Sequence, residues 1–445
     1  MKKISKILVA TLSLILLIGI LSACANDTDG DTAATTDDGD AQVELNLMGW
    51  QPHLGLLNDE MIPALNELYP HITLNVQILD WFAYWEKLTI DTAAGQAPDI
   101  AVLDVAHLPT FFDFYRPLED LASEVIGPDW KSYFNEGVLD SLKIVDDSIR
   151  MIPSDLTGLW FLFYNKSICD ELGIDVPSGN YNELVAWIEQ ANAASGDFLP
   201  MAFAGKEDVN VGFFWLWLAS NNEYGVVEAA VEGRASFTDE PFVRAFEQIL
   251  EMMDNGFLDE RVFGLDAFPG ADTLFRERNA ISYLTGQWST GGYLMGTALG
   301  GTATENDELG VVVLQNIEGG QTVMQKYVSQ GYSISNDCAH PEDAMRVIEQ
   351  WTIREGAQMW INYQACVPAA NTVELDFGLF KTEEARRTAG PALAMLVDNP
   401  GVQRSTLNSA LDMRIGELVV SVLRMGMDPE EALERMQQAV IDLSD

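Results

Sequence analysis

Basic residues are scarce in this chain: 25 Lys and Arg stand against 68 Asp and Glu in 445 residues, a formal net charge of −43. So acidic a surface repels nucleic acid and anionic lipid headgroups, which excludes both as partners held by charge. Histidine is rarer still. His53, His71, His107 and His340 are scattered, and no HExxH, CxxC or GxSxG stretch occurs. A nucleophile–base pair or a metal site therefore has no support in the sequence, and neither a metal nor a cofactor is expected. Cysteine is limited to Cys24, Cys169, Cys338 and Cys366, in no metal-ligand spacing. Cys338 and Cys366 could form a disulfide in an oxidising exterior or remain buried thiols. No repeat of solenoid period appears, and only one long apolar run.

That run is at the start. Lys2, Lys3 and Lys6 precede an apolar stretch from Ile7 to Leu21, too short to cross a bilayer as a helix. A basic head, a short apolar stretch and small residues describe a secretory signal peptide over residues 1–23. "LSAC" (21–24) resembles the lipobox of bacterial lipoproteins, which implies cleavage before Cys24 and lipid on its thiol. Residues 25–41 hold no large apolar side chain and are expected to form, with Cys24, an acidic disordered tether. Their "DTDGD" lacks the closing glutamate of a calcium loop. Removing the three lysines leaves 22 basic against 68 acidic residues, or −46, so only a covalent anchor would hold such a chain at a membrane.

About 400 residues exceed one ordinary domain, and two lobes are expected. "VELNLMGW" (43–50) and "ITLNVQIL" (72–79) alternate as strands, and "PDIAVLD" (98–104) reads as a buried strand. Between them lie helical patterns at 57–70 and 81–96. Strand and helix in alternation predict an α/β sheet covered by helices. Ligands of such sheets sit beyond the carboxyl ends of the strands. Trp50, Gln51, Trp81 and Asp104 stand there.

Four stretches then resemble, in order, the landmarks of extracellular solute-binding proteins of the maltodextrin-binding type (family 1), which serve ABC importers. They are "GQAPDI" (95–100), "LFYNKSICDELGIDVPSGNYNELVAWIEQ" (162–190), "LFRERNAISYLTGQWS" (274–289) and "VSQGYSISNDCAHPEDAMRVIEQW" (328–351). The resemblance implies a two-lobed, periplasmic-binding-protein-like α/β fold of type II, with central mixed sheets and a hinge of strands crossing near Pro153, Ser329 and Gly378. It divides the chain into a first lobe of residues 42–153 plus 330–378 and a second of 154–329 plus 379–445. It implies a monomer that is not an enzyme, holding a small ligand between the lobes for an ABC permease.

Sugar recognition needs flat apolar faces for C–H groups and planar polar side chains for hydroxyls. The resemblance makes Trp288 the aromatic of a Gly-x-Trp landmark and places His107, Asp155, Asn210, Gln330 and Tyr332 near ligand or at the crossings. Trp50, Trp81 and Trp215 complete the aromatic candidates, with core packing as the alternative fate of each. Trp85, Trp160, Trp187 and Trp351 are assigned to the core. A second reading is a cationic ligand such as a polyamine, held by Asp104, Asp155 and tryptophan faces. A third is an anchored glycoside hydrolase, which needs two carboxylates at a set separation; with 68 acids some pair is always at hand.

Overall fold

The computed structural model describes residues 42–195, 198–297 and 299–444. The expected signal peptide, Cys24 and tether lie outside the described residues. Among the described residues ten strands form the sheet: β1 (Val43–Gly49), β2 (Ile72–Ile78), β3 (Ile100–Leu103), β4 (Ile152–Asn165), β5 (Leu199–Phe203), β6 (Ala280–Gly286), β7 (Leu309–Val313), β8 (Met324–Ile334), β9 (Val367–Pro368) and β10 (Gly401–Val402). The main path runs β2-β1-β3-β8-β4-β6-β5.

The first strands follow their patterns. β1 buries Val43, Leu45 and Leu47 and exposes Glu44 and Asn46 between them. It pairs in parallel with β2, Val43 opposite Ile72, and with β3, Leu47 opposite Ile100. β3, unbroken in apolar character, is buried at all four positions, as a strand covered on both faces must be. Gly49 is needed where β1 meets β3, because a Cβ there would lie 2.5 Å from Val102 Cγ2. That close approach fixes the spacing at the strand ends. The helix Trp81–Ala93 is opened by Asp80, whose carboxylate accepts from the Ala83 N–H at 3.1 Å.

β4 changes partners along its 14 residues. Residues 152–158 pair antiparallel with β8, and residues 159–165 pair with β6 and β7. Its register shifts at Pro153–Leu156 and again at Leu159–Phe161, bulges that bend and twist the strand. β8 is shared in the same way. Gly331–Ile334 pair with β3, and Met324–Gln325 with β10. Two strands thus thread both halves of the sheet, near the first two crossings expected at Pro153 and Ser329. At the junction Trp160 takes the left-handed region (φ 70°), and its indole N–H donates across to Gln325 Oε1 of β8 at 2.9 Å.

The second half is organised on the helix Asp208–Asn222. It is apolar nearly all round and so must be covered on all sides. The helices Glu240–Asp254 and Ser409–Met425 pack against it. Gly212 and Gly416 permit the second crossing, since a Cβ on Gly416 would lie 2.4 Å from the Asp208 carbonyl oxygen. Cys169, Cys338 and Cys366 are free, buried thiols, so the alternative of a Cys338–Cys366 disulfide does not hold.

Gly416→Ala is expected to overpack this crossing and cost about 1–3 kcal/mol. Urea denaturation of a chain beginning at residue 42 should show a lower midpoint at unchanged slope. An unchanged midpoint would mean that the helices separate without penalty.

Candidate ligand-binding cleft

The ends of β1 and β3 and the start of the helix Trp81–Ala93 bring five rings together. Trp50 and Trp81 meet edge to face at 4.9 Å, Trp81 and Trp85 at 5.4 Å, and Trp85 stacks on His107 at 3.7 Å. Tyr84 roots the group: it is buried, lies 5.3 Å from Trp50, and its hydroxyl donates to the Val102 carbonyl. Trp50, Trp81, Trp85 and His107 remain partly exposed above it. Trp85, assigned to the core from sequence, therefore belongs to this cluster. Positions 81, 84 and 85 share one helix face, so the spacing was present in "WFAYW" (81–85). Gln51 follows Trp50, half-buried.

Asp104 lies beneath the rings, 1% exposed. One carboxylate oxygen accepts from the His107 backbone N–H at 2.9 Å and lies 2.6 Å from His107 Nδ1. The other accepts from Arg404 Nη2 at 2.7 Å. Burial alone would raise this carboxyl, but His107 and Arg404 together hold it below the usual carboxylate range. Arg404 was not among the sequence candidates. It comes from the 403–408 loop after β10, on the other half of the sheet. Its Nη1 donates to the Tyr327 hydroxyl at 2.9 Å. Its guanidinium carbon lies 4.6 Å from the Tyr327 ring, 5.5 Å from Phe213 and 5.7 Å from Trp81. Nothing in "GVQRSTLN" (401–408) marks this arginine, because its partners are about 80 and 300 residues away.

The loop is firmly held. Thr406 N and Oγ1 both donate to Asp412 Oδ1 at 2.8 Å, and Asn408 caps the next helix through the Ala410 and Leu411 N–H groups. Burial pushes Asp412 up to about 6 despite those bonds. Leu407 sits between them at φ 61°. Arg404 Nε, Gln403 Oε1 and Trp85 Nε1 are buried without a hydrogen-bond partner among the described residues.

Three candidates form a second group inside the strand crossing rather than beside the rings. Asp155 is 3% exposed and accepts only from the Trp360 indole N–H, at 3.0 Å. Burial pushes its carboxyl up to about 7. Gln330 faces it across the β4–β8 ladder and donates to the Tyr332 hydroxyl at 3.1 Å. All three lie buried in the strand crossing where they were expected, and their further assignment as ligand contacts finds no solvent-facing surface there.

Trp215 is a further correction. It is wholly buried against Phe237, Phe242 and Phe246, because every face of its helix is covered. Trp160, Trp187 and Trp351 are buried as expected. Asn210 is half-buried, and its amide donates to the Ala204 carbonyl at 2.9 Å, closing the end of β5.

Trp288 stands apart, half-buried just after β6. Its ring folds back over Gly286, where a Cβ would lie 2.0 Å from Cζ3. This explains the Gly-x-Trp pairing: only glycine lets the indole lie there. Gln364 Nε2 donates to the Trp288 carbonyl at 2.6 Å, and Tyr363 beside it faces His53 at 6.2 Å.

The family model described as bacterial extracellular solute-binding protein matches residues 56–359. The chain belongs to that family. This solute-binding protein spans about half the length of the curated relatives it matches. A protein of Brucella abortus (strain 2308) is 24% identical over 228 residues, 50% of this chain and 52% of its own. One of Brucella suis biovar 1 (strain 1330) matches to the same extent. A protein solved in work on xylan utilisation by the thermophilic bacterium Caldanaerobius polysaccharolyticus has a TM-score of 0.73 at 19% identity, over 89% of this chain and 100% of its own. A chitin oligosaccharide binding protein gives 0.71 at 19%, over 90% and 98%. Maltose-bound MalE3 of T. maritima gives 0.70 at 16%, over 90% and 99%. At these identities the likeness shows the fold, a two-lobed α/β arrangement with helices flanking a mixed sheet.

The Asp155 carboxyl is raised from 3.8 in its ordinary state to about 7, so its neutral form is the one the fold favours. Its contribution to stability is complete below pH 4 and is lost as pH rises through 7. Asp155→Asn should match the native protein at pH 4 and exceed it at pH 8 by roughly 2–4 kcal/mol. Urea unfolding at the two pH values tests this, and equal differences at both would place no titration at Asp155. Gly286→Ala should displace the Trp288 ring, seen as a shifted indole emission with the fold retained by circular dichroism. Unchanged emission would mean that the ring does not depend on that glycine.

Proposed function

We propose that this solute-binding protein captures a neutral sugar or oligosaccharide between its two lobes and delivers it to an ABC permease, without turning it over. The aromatic cluster carries the reading. Trp50, Trp81, Trp85 and His107 offer part-exposed faces beside the fixed Asp104–Arg404 pair, which is the pairing of flat apolar surface and planar polar groups that sugars need. The names of the structural neighbours, on xylan, chitin oligosaccharide and maltose, point the same way.

The first lobe would be residues 42–153 plus 330–378 and the second 154–329 plus 379–445. Trp288, Gln51 and Asn210 would extend the contact surface. The polyamine reading loses ground, because Asp104 already has a cationic partner and Asp155 favours its neutral form. For the hydrolase reading, Asp104 is already bound to Arg404 and cannot serve as a free carboxylate. We place the protein on the outer face of the membrane, as a monomer held by lipid on Cys24.

A melting screen against xylo-, chito- and malto-oligosaccharides tests the function. A ligand present at about 100 times its dissociation constant should add about 2.7 kcal/mol, and no shift with any neutral sugar would reject the proposal. Trp81→Ala should then weaken the best ligand by about 2 kcal/mol, or roughly thirtyfold, by calorimetry; unchanged affinity in a folded variant would remove the ring cluster from the site. For the anchor, Cys24→Ser should release the protein from the membrane fraction or leave it unprocessed. A processed, membrane-bound variant would disprove it.

A further inference from the structure

We propose that Arg404 sets the choice between neutral and cationic ligands, by filling with its own guanidinium the cation position that Asp104 and the surrounding rings would otherwise offer to an amine. The proposal rests on reading this cleft as the ligand site. It begins with Asp104, a buried carboxylate whose Oδ1 is taken by His107 and whose Oδ2 faces Arg404 Nη2 at 2.7 Å. His107 meets only Oδ1, so the buried Oδ2 needs a partner of its own, and a cation meets that need best.

The rings make the same demand. Tyr327, Phe213 and Trp81 lie 4.6, 5.5 and 5.7 Å from the guanidinium carbon, all within cation–π range. One carboxylate ringed by three aromatic faces is the recognition set for an organic cation, and here the occupant is the chain's own side chain. The occupant is also fixed in place. Tyr327 takes a second N–H, and the 403–408 loop is tied by Thr406 to Asp412 and by Asn408 to the next helix. Leu407 accepts a φ of 61° within that loop, a conformation that persists only where its surroundings enforce it.

The consequence is electrostatic. Arginine stays protonated at any accessible pH, so the pair is neutral as a unit. A neutral sugar meets no uncompensated charge. An amine meets a carboxylate already in use and a like charge beside it. The device matters here because the chain carries a net charge of −43, which draws cations to the whole surface. Arg404 removes the position beside Asp104 where a drawn cation would be held.

The test is a gain of function. Arg404→Ala leaves a guanidinium-sized space beside an unpaired Asp104, and Arg404→Gln removes the charge while keeping a hydrogen-bonding side chain. The wild-type protein, both variants and the double variant Arg404→Ala/Asp104→Asn are titrated with ethylguanidinium and with spermidine by calorimetry, after circular dichroism has established the fold. We expect both single variants to bind at least one of these cations about tenfold or more tighter than wild type, and the double variant to lose the gain. Arg404→Gln carries the test should Arg404→Ala fail to fold. Wild-type binding as tight as that of the variants, or no gain in a folded variant, would overturn the proposal. Failure of the sugar reading would appear separately, as no wild-type response to neutral oligosaccharides, and would leave the cation titrations to decide this inference alone.

Discussion

The β4–β8 ladder is the constraint on which the rest of the molecule depends. β4 pairs with β8 over its first residues and with β6 and β7 over its last, while β8 reaches β3 at one end and β10 at the other. β4 and β8 therefore carry the backbone pairing across the middle of the sheet. The bulges at Pro153–Leu156 and Leu159–Phe161 are where that tie bends. Backbone hydrogen bonds make the ladder stiff along its length, and the local loss of pairing at a bulge makes it compliant across it.

Burial in the ladder also decides which charges are available. Asp155 lies inside it with one donor, and its carboxyl favours the neutral form. Asp104 is no more exposed, yet it stays ionised because His107 and Arg404 compensate for its burial. Two carboxyls of similar burial thus have opposite character for reasons that are wholly local: three donors for one, a single indole for the other. The residue that makes the difference, Arg404, lies 300 residues further along the chain than Asp104.

The aromatic cluster draws its order from below. Tyr84 is locked to the Val102 carbonyl, Gly49 lets β1 close on Val102, and the exposed rings stand on that base. Trp288 is ordered by a different device, a glycine over which the indole lies. In both places a glycine makes room for a close neighbour, Val102 in the first and the Trp288 ring in the second. Packing density near that of an organic crystal requires such pairings, since neither a void nor an overlap of one methyl group is tolerated cheaply.

Much of this was legible in the residues themselves. Alternation in "VELNLMGW" and "ITLNVQIL" located β1 and β2 to within a residue, and the unbroken apolar "IAVL" marked β3 as buried on both faces. These are local properties, in which side-chain period and face exposure leave their trace in neighbouring positions. The landmark order likewise pointed to the family and to the fold. The sequence could also place Trp50, Trp81 and Asp104 at one sheet end, because each follows a strand or opens a helix there, while His107 came from the family resemblance. It could not tell Trp85 from a core residue or Trp215 from a ligand contact. An amphipathic face records that it is covered, not what covers it. Nor could it find Arg404, or show that Asp155 is sealed in the crossing. Those outcomes depend on partners far away in the chain, and only tertiary structure brings residue 404 to residue 104 and so decides which carboxyl is charged.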